Sequence, residues 1–266
     1  MPTALALPTP DGPMSRVPSL EVLARISEET ELGDGTTALT DAIHARYFRG
    51  SPGTSGTESP GPGRRGRDFC RRLADTFTPY LFRRDAWRFS YRTTDGIPSF
   101  VVAAGSPVGG ETASCFLHLR PGTAPDLFAR VVTTLDGYGL DFRAELAGDP
   151  EACRRADAAV LTVHRDDIPA VARVALRLEE RAPFALDPAV PAFTRQVAPG
   201  VALADQPGGG TSFGRHRSRL IAAGLVAAGS GAGPAHRRAA VLASLTKAGL
   251  DPAALHVNPG NPDFRV

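Results

Sequence analysis

Lysine is almost missing from this chain of 266 residues: of 30 basic side chains, 29 are arginine and only Lys247 is lysine. GC-rich coding accounts for such a bias, but the chemical consequence holds whatever its origin. A lysine base or a Schiff-base amine has one candidate, and Lys247 sits in an ordinary amphipathic stretch from Ala239 to Leu250. Arginine stays protonated and offers a rigid donor fork, so it suits anion binding rather than proton abstraction. Cysteine is scarce too. Cys70, Cys115 and Cys153 are an odd number without CxxC spacing, which excludes a disulfide framework and a zinc ribbon. The formal net charge is only +2, from 30 basic and 28 acidic groups, which argues against a protein that neutralises phosphates along a nucleic acid.

Long apolar runs are absent as well. No stretch approaches the ~20 residues of a membrane span. Met1 to Pro18 lacks a charged start followed by an apolar core, so no signal peptide is expected. HExxH, GxSxG and metal-spaced Cys/His pairs are missing, and the six histidines are scattered. These absences lead to the expectation of a reduced, soluble, cytoplasmic protein with no nucleic-acid or membrane partner.

What is present is an ordinary globular composition, 42% hydrophobic, with Gly (28) and Pro (24) making up about a fifth of the chain. The length suits one large domain or two small ones. Residues 1–18 are Pro-rich and read as a disordered N-terminus, and 50–66, almost without apolar side chains, as a disordered loop within a single domain over 19–266. Short helices are expected at Leu20 to Ala24 and Leu39 to Phe48. Another starts at Arg67, where Phe69, Leu73 and Phe77 share a face. From Trp87 apolar and polar residues alternate, and Ser99 to Ala104 answers across Asp95-Gly96 as a hairpin.

A β-α-β-β-α unit follows: strands at Ser114 to Arg120, Leu140 to Leu146 and Asp157 to His164, with helices at Ala124 to Leu135 and Ile168 to Glu180. Pro183 to Gly200 reads as an extended strap. Helices at Leu220 to Ala228 and Ala235 to Ala248 close the chain. The fold class is α+β, a mixed sheet flanked by N- and C-terminal helices.

Two places carry chemistry. Gly208 to Gly210 lead into Thr211 and Ser212, either a good N-cap, and then a helix. Free N–H groups and the positive end of the dipole make such a start an anion site. Ser212, Arg215 or His216, and Arg219 share a face there by helical spacing. The alternative is a plain glycine-rich loop before an arginine-bearing surface helix. The second place comes from strand alternation: Phe116, His118 and Arg120 share one face, as do Arg143 and Glu145. If the two strands are neighbours, His118, Arg120, Arg143 and Glu145 form one polar patch; otherwise they are a solvated sheet face. Arg154, Arg155 and Asp157 read alone as a turn with an ion pair.

Several short stretches, in order over residues 40–260, resemble the HopA-type effector-like proteins found in actinobacterial clusters for ribosomally made, modified peptides. They are Arg46-Tyr-Phe-Arg, Phe142-Arg-Ala-Glu-Leu, Arg155-Ala-Asp-Ala-Ala-Val-Leu, Pro191-Ala-Phe-Thr, Pro199-Gly-Val-Ala-Leu-Ala-Asp-Gln-Pro, Ser212-Phe-Gly-Arg-His-Arg and Asn258-Pro-Gly. The resemblance implies a lyase that follows a phosphotransferase-like kinase in the maturation of class V lanthipeptides or thioviridamide-like peptides. The kinase phosphorylates Ser or Thr of a leader-bearing precursor peptide, and the lyase eliminates phosphate to leave dehydroalanine or dehydrobutyrine. Such a reaction needs a base, cationic donors for the leaving phosphate and stabilisation of enolate-like charge, with no cofactor and no metal.

On this resemblance Arg143, Arg155, Ser212, Arg215 and Arg217 are the candidate phosphate cradle, with Asp157 supporting them; strand alternation adds Arg120 to the set. The family strand carries lysine where this chain has Glu145. Glu145, His118 and His216 are therefore the candidate bases. A degenerate copy that binds leader peptide and activates the kinase is the alternative.

Overall fold

A computed structural model describes residues 19–30, 35–50, 64–81, 87–94 and 97–266. Among them the chain forms seven strands in one sheet: β1 (Arg88–Thr94), β2 (Ile97–Ala104), β3 (Thr112–Leu117), β4 (Phe142–Ala147), β5 (Ala159–His164), β6 (Arg195–Ala198) and β7 (Val201–Asp205). Their order is β1-β2-β4-β5-β3-β7-β6, and every neighbouring pair is antiparallel. The helices are α1 (Ser19–Glu29), α2 (Thr36–Ile43), α3 (Arg64–Leu81), α4 (Ala124–Gly137), α5 (Ile168–Arg181), α6 (Phe213–Ala228) and α7 (Pro234–Lys247); a π-turn, His44–Phe48, extends α2. The α+β architecture, the hairpin joined to a β-α-β-β-α unit and the flanking terminal helices are all as expected.

Period-two alternation decides what each face of the sheet carries. Phe142, Ala144 and Leu146 of β4, with Ala159, Leu161 and Val163 of β5, turn to one side, where α3, α4 and α5 bury them in the larger core. Phe77 of α3 is its aromatic hub, 5.5 Å from Phe100 and 6.1 Å from Phe128 between ring centres. Burying each such side chain contributes ~1.5–3 kcal/mol. On the opposite face a second core, from α1, α2, α6 and α7, covers Phe116 and Ala204 but leaves Arg143, Glu145 and Thr162 half-exposed. That uncovered part of the sheet holds the candidate site.

Four expectations differ from the structure. The strap holds β6, which pairs with β7 as a hairpin. β6 has four residues and a register shift between Gln196 and Ala198, while all five residues of β7 are buried, so neither shows a clean alternation. The apolar helical stretch expected from Leu220 is part of a helix that starts at Phe213, seven residues earlier and directly after Ser212, where the N-cap reading puts it. Strands β3 and β4 are not neighbours, because β5 lies between them. α3 begins at Arg64, inside the expected loop 50–66; the rest of that loop and the disordered N-terminus 1–18 lie outside the described residues, apart from Gly50.

Candidate functional site

A cavity of about 810 Å³ opens over the uncovered sheet face. Its floor is β2, β4 and β5, and its walls are the Ser106–Gly110 loop, the Gln206–Ser212 loop and the end of the π-turn. β4 projects Arg143 and Glu145 into it by strand alternation, and the two form an ion pair. The Nε of Arg143 is buried without a hydrogen-bond partner. At the other end of the floor Arg155 clamps Asp157 in a fork, Nε to Oδ1 at 2.8 Å and Nη2 to Oδ2 at 2.6 Å. Planar, bidentate pairs of this kind fix both side chains. The amide of Ala156 donates to the carbonyl of Arg49 at 3.1 Å, which ties this turn to the π-turn and brings the Arg49 Nε to 3.9 Å from Asp157.

The glycine-rich loop supplies the remaining wall. Gly209 and Gly210 have φ of 80° and 75°, a left-handed conformation that glycine adopts without steric cost. They let the chain turn sharply into Ser212, which occupies the N-cap of α6 in an extended conformation. The Ser212 hydroxyl caps no backbone N–H, so the helix start keeps its unsatisfied donors beside the cavity. Gly214 follows because Phe48 packs against it: a Cβ there would meet the ring at 2.4 Å. Phe48 in turn stacks on His44, with ring centres 5.2 Å apart, and the imidazole joins the cavity wall.

Five of the ten expected site residues therefore meet: Arg143, Glu145, Arg155, Asp157 and Ser212. The other five are placed elsewhere. His118 is buried, with Nδ1 3.0 Å from the Ala189 carbonyl and Nε2 3.0 Å from that of Arg154, and it pins the strap to the turn before β5. Arg120 is exposed after β3, and because β5 separates β3 from β4 the four-residue patch does not form. Arg215 pairs with Asp41 of α2 at 3.2 Å.

Arg217 is 0% exposed. It donates to the carbonyls of Leu255 and Val257 and to the Asn258 side chain, at 2.9, 3.2 and 3.0 Å, and lies 4.9 Å over the Phe213 ring. Burial lowers its pKa to about 10, so it remains a cation at neutral pH, bound to the C-terminal segment rather than to the cavity. His216 accepts a hydrogen bond from Arg217 at Nδ1, 2.7 Å away. Its burial, with the charges of Arg217 and Arg219, pushes its pKa down to about 4.

Reasoning from sequence missed His44 and Arg88, both of which line the cavity. The only available signal was the position of His44, two residues before the Arg46-Tyr-Phe-Arg stretch. Among the described residues no helix is long and apolar enough to cross a membrane.

The pattern of the HopA1 effector protein family matches residues 90–257, more than half of the chain. The chain belongs to the HopA1 effector protein family. The matched span includes Arg143, Glu145, Arg155, Asp157 and Ser212, while His44 and Arg49 precede it. No curated protein matches the chain. Two solved structures share its fold. The effector protein from Pseudomonas syringae pv. tomato strain DC3000 superposes with a TM-score of 0.64 at 14% identity, covering 91% of this chain and 96% of that one. The effector protein from Pseudomonas syringae pv. syringae strain 61 gives 0.62 at 15% identity, with the same coverage. At such identities the likeness concerns the HopA1 fold alone.

Proposed function

We propose that this HopA1-family protein is a lyase that eliminates phosphate from phosphorylated Ser or Thr in a ribosomal precursor peptide, working in the cytoplasm with a phosphotransferase-like kinase. The observation that carries the reading is the meeting of Arg143 and Arg155 with Glu145 in one cavity beside the α6 start. The chain's own groups supply two of the reaction's demands, the base and the cationic donors for the leaving phosphate. Glu145 takes the α-hydrogen, and the C–H electrons form the Cα=Cβ bond as the Cβ–O bond breaks. Phosphate leaves with the electron pair of the broken Cβ–O bond, into the guanidiniums of Arg143 and Arg155 and the donors around Ser212. The donors at the α6 start are fixed by the fold, whereas the two guanidiniums exchange a carboxylate for the phosphate. The pairing of Glu145 with Arg143 also answers its departure from the family lysine: a carboxylate beside phosphate is tolerated when an arginine screens it.

One observation favours a second reading. Both cavity arginines already hold a carboxylate, and among the described residues β1 pairs only with β2, leaving a sheet edge on which a leader peptide can add a strand. On that reading the protein binds leader and activates the kinase. Mass spectrometry of a phosphoserine-bearing precursor peptide incubated with the chain separates the two. The lyase reading expects loss of phosphoric acid with the wild type and a large loss of rate with Glu145→Gln. Intact phosphopeptide alongside full kinase stimulation would overturn it in favour of the binding role.

A further inference from the structure

On the far side of the sheet from the cavity, α4 and α5 enclose a small hollow of about 90 Å³. Its base is apolar: Val131, Val174 and Leu178, all buried. Its rim is cationic and aromatic: Arg130 from α4, Arg177 and Arg181 from α5, and Tyr138 at the end of α4. No carboxylate lines it, and among the described residues none of the three guanidiniums makes a salt bridge; Arg177 only donates to the Tyr138 hydroxyl at 3.4 Å. Glu179 and Glu180 lie on the same helix but not on the rim. Immediately after α5, Phe184 is 84% exposed, and Tyr138 is 56% exposed.

Aromatic residues and arginine are the side chains that dominate protein–protein contacts, and an exposed cluster of both around an apolar dimple is uncommon on a surface that meets only water. The hollow is well below the ~300 Å³ of a small-molecule site and suits one apolar side chain.

We infer that this α4–α5 face is a docking surface for an acidic segment of a partner protein, which seats one apolar side chain between Val131 and Leu178 and sets carboxylates against Arg130, Arg177 and Arg181. Charge complementarity selects the occupant: three guanidiniums that hold no carboxylate among the described residues, set around an apolar base, disfavour a basic partner and favour one with flanking carboxylates. Because α4 and α5 pack on the face opposite Arg143 and Glu145, an occupant here leaves the cavity open. The inference stands whether or not the cavity is a lyase site.

Fluorescence anisotropy with a labelled peptide alternating glutamates with leucine tests it on the full chain. The wild type is expected to bind at low salt and weaken as salt rises. Arg177→Glu with Arg181→Glu is expected to lose at least roughly tenfold in affinity, the equivalent of ~1.4 kcal/mol. These residues are exposed, so an unchanged melting curve shows that the fold survives. Replacing the peptide glutamates by glutamines should abolish binding to the wild type. No binding of the acidic peptide, or equal binding by the double variant, would overturn the inference. Vesicles of anionic lipid that bind the wild type where the peptide does not would also overturn it and assign the face to a lipid surface.

Discussion

Arg217→Ala separates a structural arginine from a phosphate-binding one. The guanidinium is fully buried, gives three hydrogen bonds to the segment Leu255–Asn258, and a fourth to His216 Nδ1. Each hydrogen bond involving a charged group contributes ~1.5–3 kcal/mol, but they are not additive, and the ion's own desolvation offsets part of the sum. Removing the guanidinium leaves these four neutral acceptors without their donor, at ~1–3 kcal/mol for each one that stays buried and unpaired, so a few kcal/mol in all.

The damage should spread along the chain. Asn258 donates through its amide N–H to Asp205 Oδ2 at 2.9 Å and through its side chain to the Gln206 carbonyl at 2.7 Å, so the root of the glycine-rich loop hangs on the same segment. At ~2–4 °C per kcal/mol for a domain of this size, the melting temperature should fall by roughly 10 °C. Urea unfolding followed by circular dichroism gives the free energy directly. A loss under ~1 kcal/mol combined with abolished phosphopeptide binding would refute the structural assignment and return Arg217 to the cavity.

Three other outcomes follow from the same structure. Gly214→Ala ought to gain up to ~1 kcal/mol on helix propensity alone, but its Cβ would sit 2.4 Å from the Phe48 ring. Overpacking costs ~1–3 kcal/mol, so calorimetry should show a net loss of stability. His216 ionises near 4 in the folded chain against an ordinary 6.5, so between those values the unfolded chain holds the proton and the native one does not. Stability therefore falls as pH drops from 6.5 towards 4, and His216→Gln should flatten that slope in denaturant titrations; an unchanged slope would contradict the burial argument. Phe77→Ala, at the centre of the larger core, should cost ~3–5 kcal/mol with no selective effect on the cavity, as measured by unfolding and peptide binding in parallel.

Much of the architecture was legible because its signals are local. α4 and α5 show apolar positions at helical spacing, and β4 alternates cleanly, so the shared face of Arg143 and Glu145 could be read before any coordinates. The glycine turn into Ser212 was legible for the same reason, since positive φ at Gly209 and Gly210 is written in the residue type. Strand order was not. The insertion of β5 between β3 and β4 is a long-range pairing, and it removed His118 and Arg120 from the site. Burial of charge was also hidden: the Ser212-Phe-Gly-Arg-His-Arg stretch offered Arg215, His216 and Arg217 alike as site residues, whereas Arg217 faces the core, and burial with the charges of Arg217 and Arg219 keeps His216 neutral. His44 escaped notice because what brings it to the cavity is its stacking on Phe48, which in turn packs on Gly214 far along the chain.

The central claim is that Arg143 and Arg155, meeting across one cavity beside the α6 start, hold a phosphorylated side chain. Isothermal titration of a phosphoserine peptide into the wild-type chain and into Arg143→Ala and Arg155→Ala tests it most directly, with the unphosphorylated peptide as reference. The account expects tighter binding of the phosphorylated form, and loss of that preference in both variants with the fold intact. Equal binding of both peptides by the wild type, or an undiminished phosphate preference in the two variants, would contradict it.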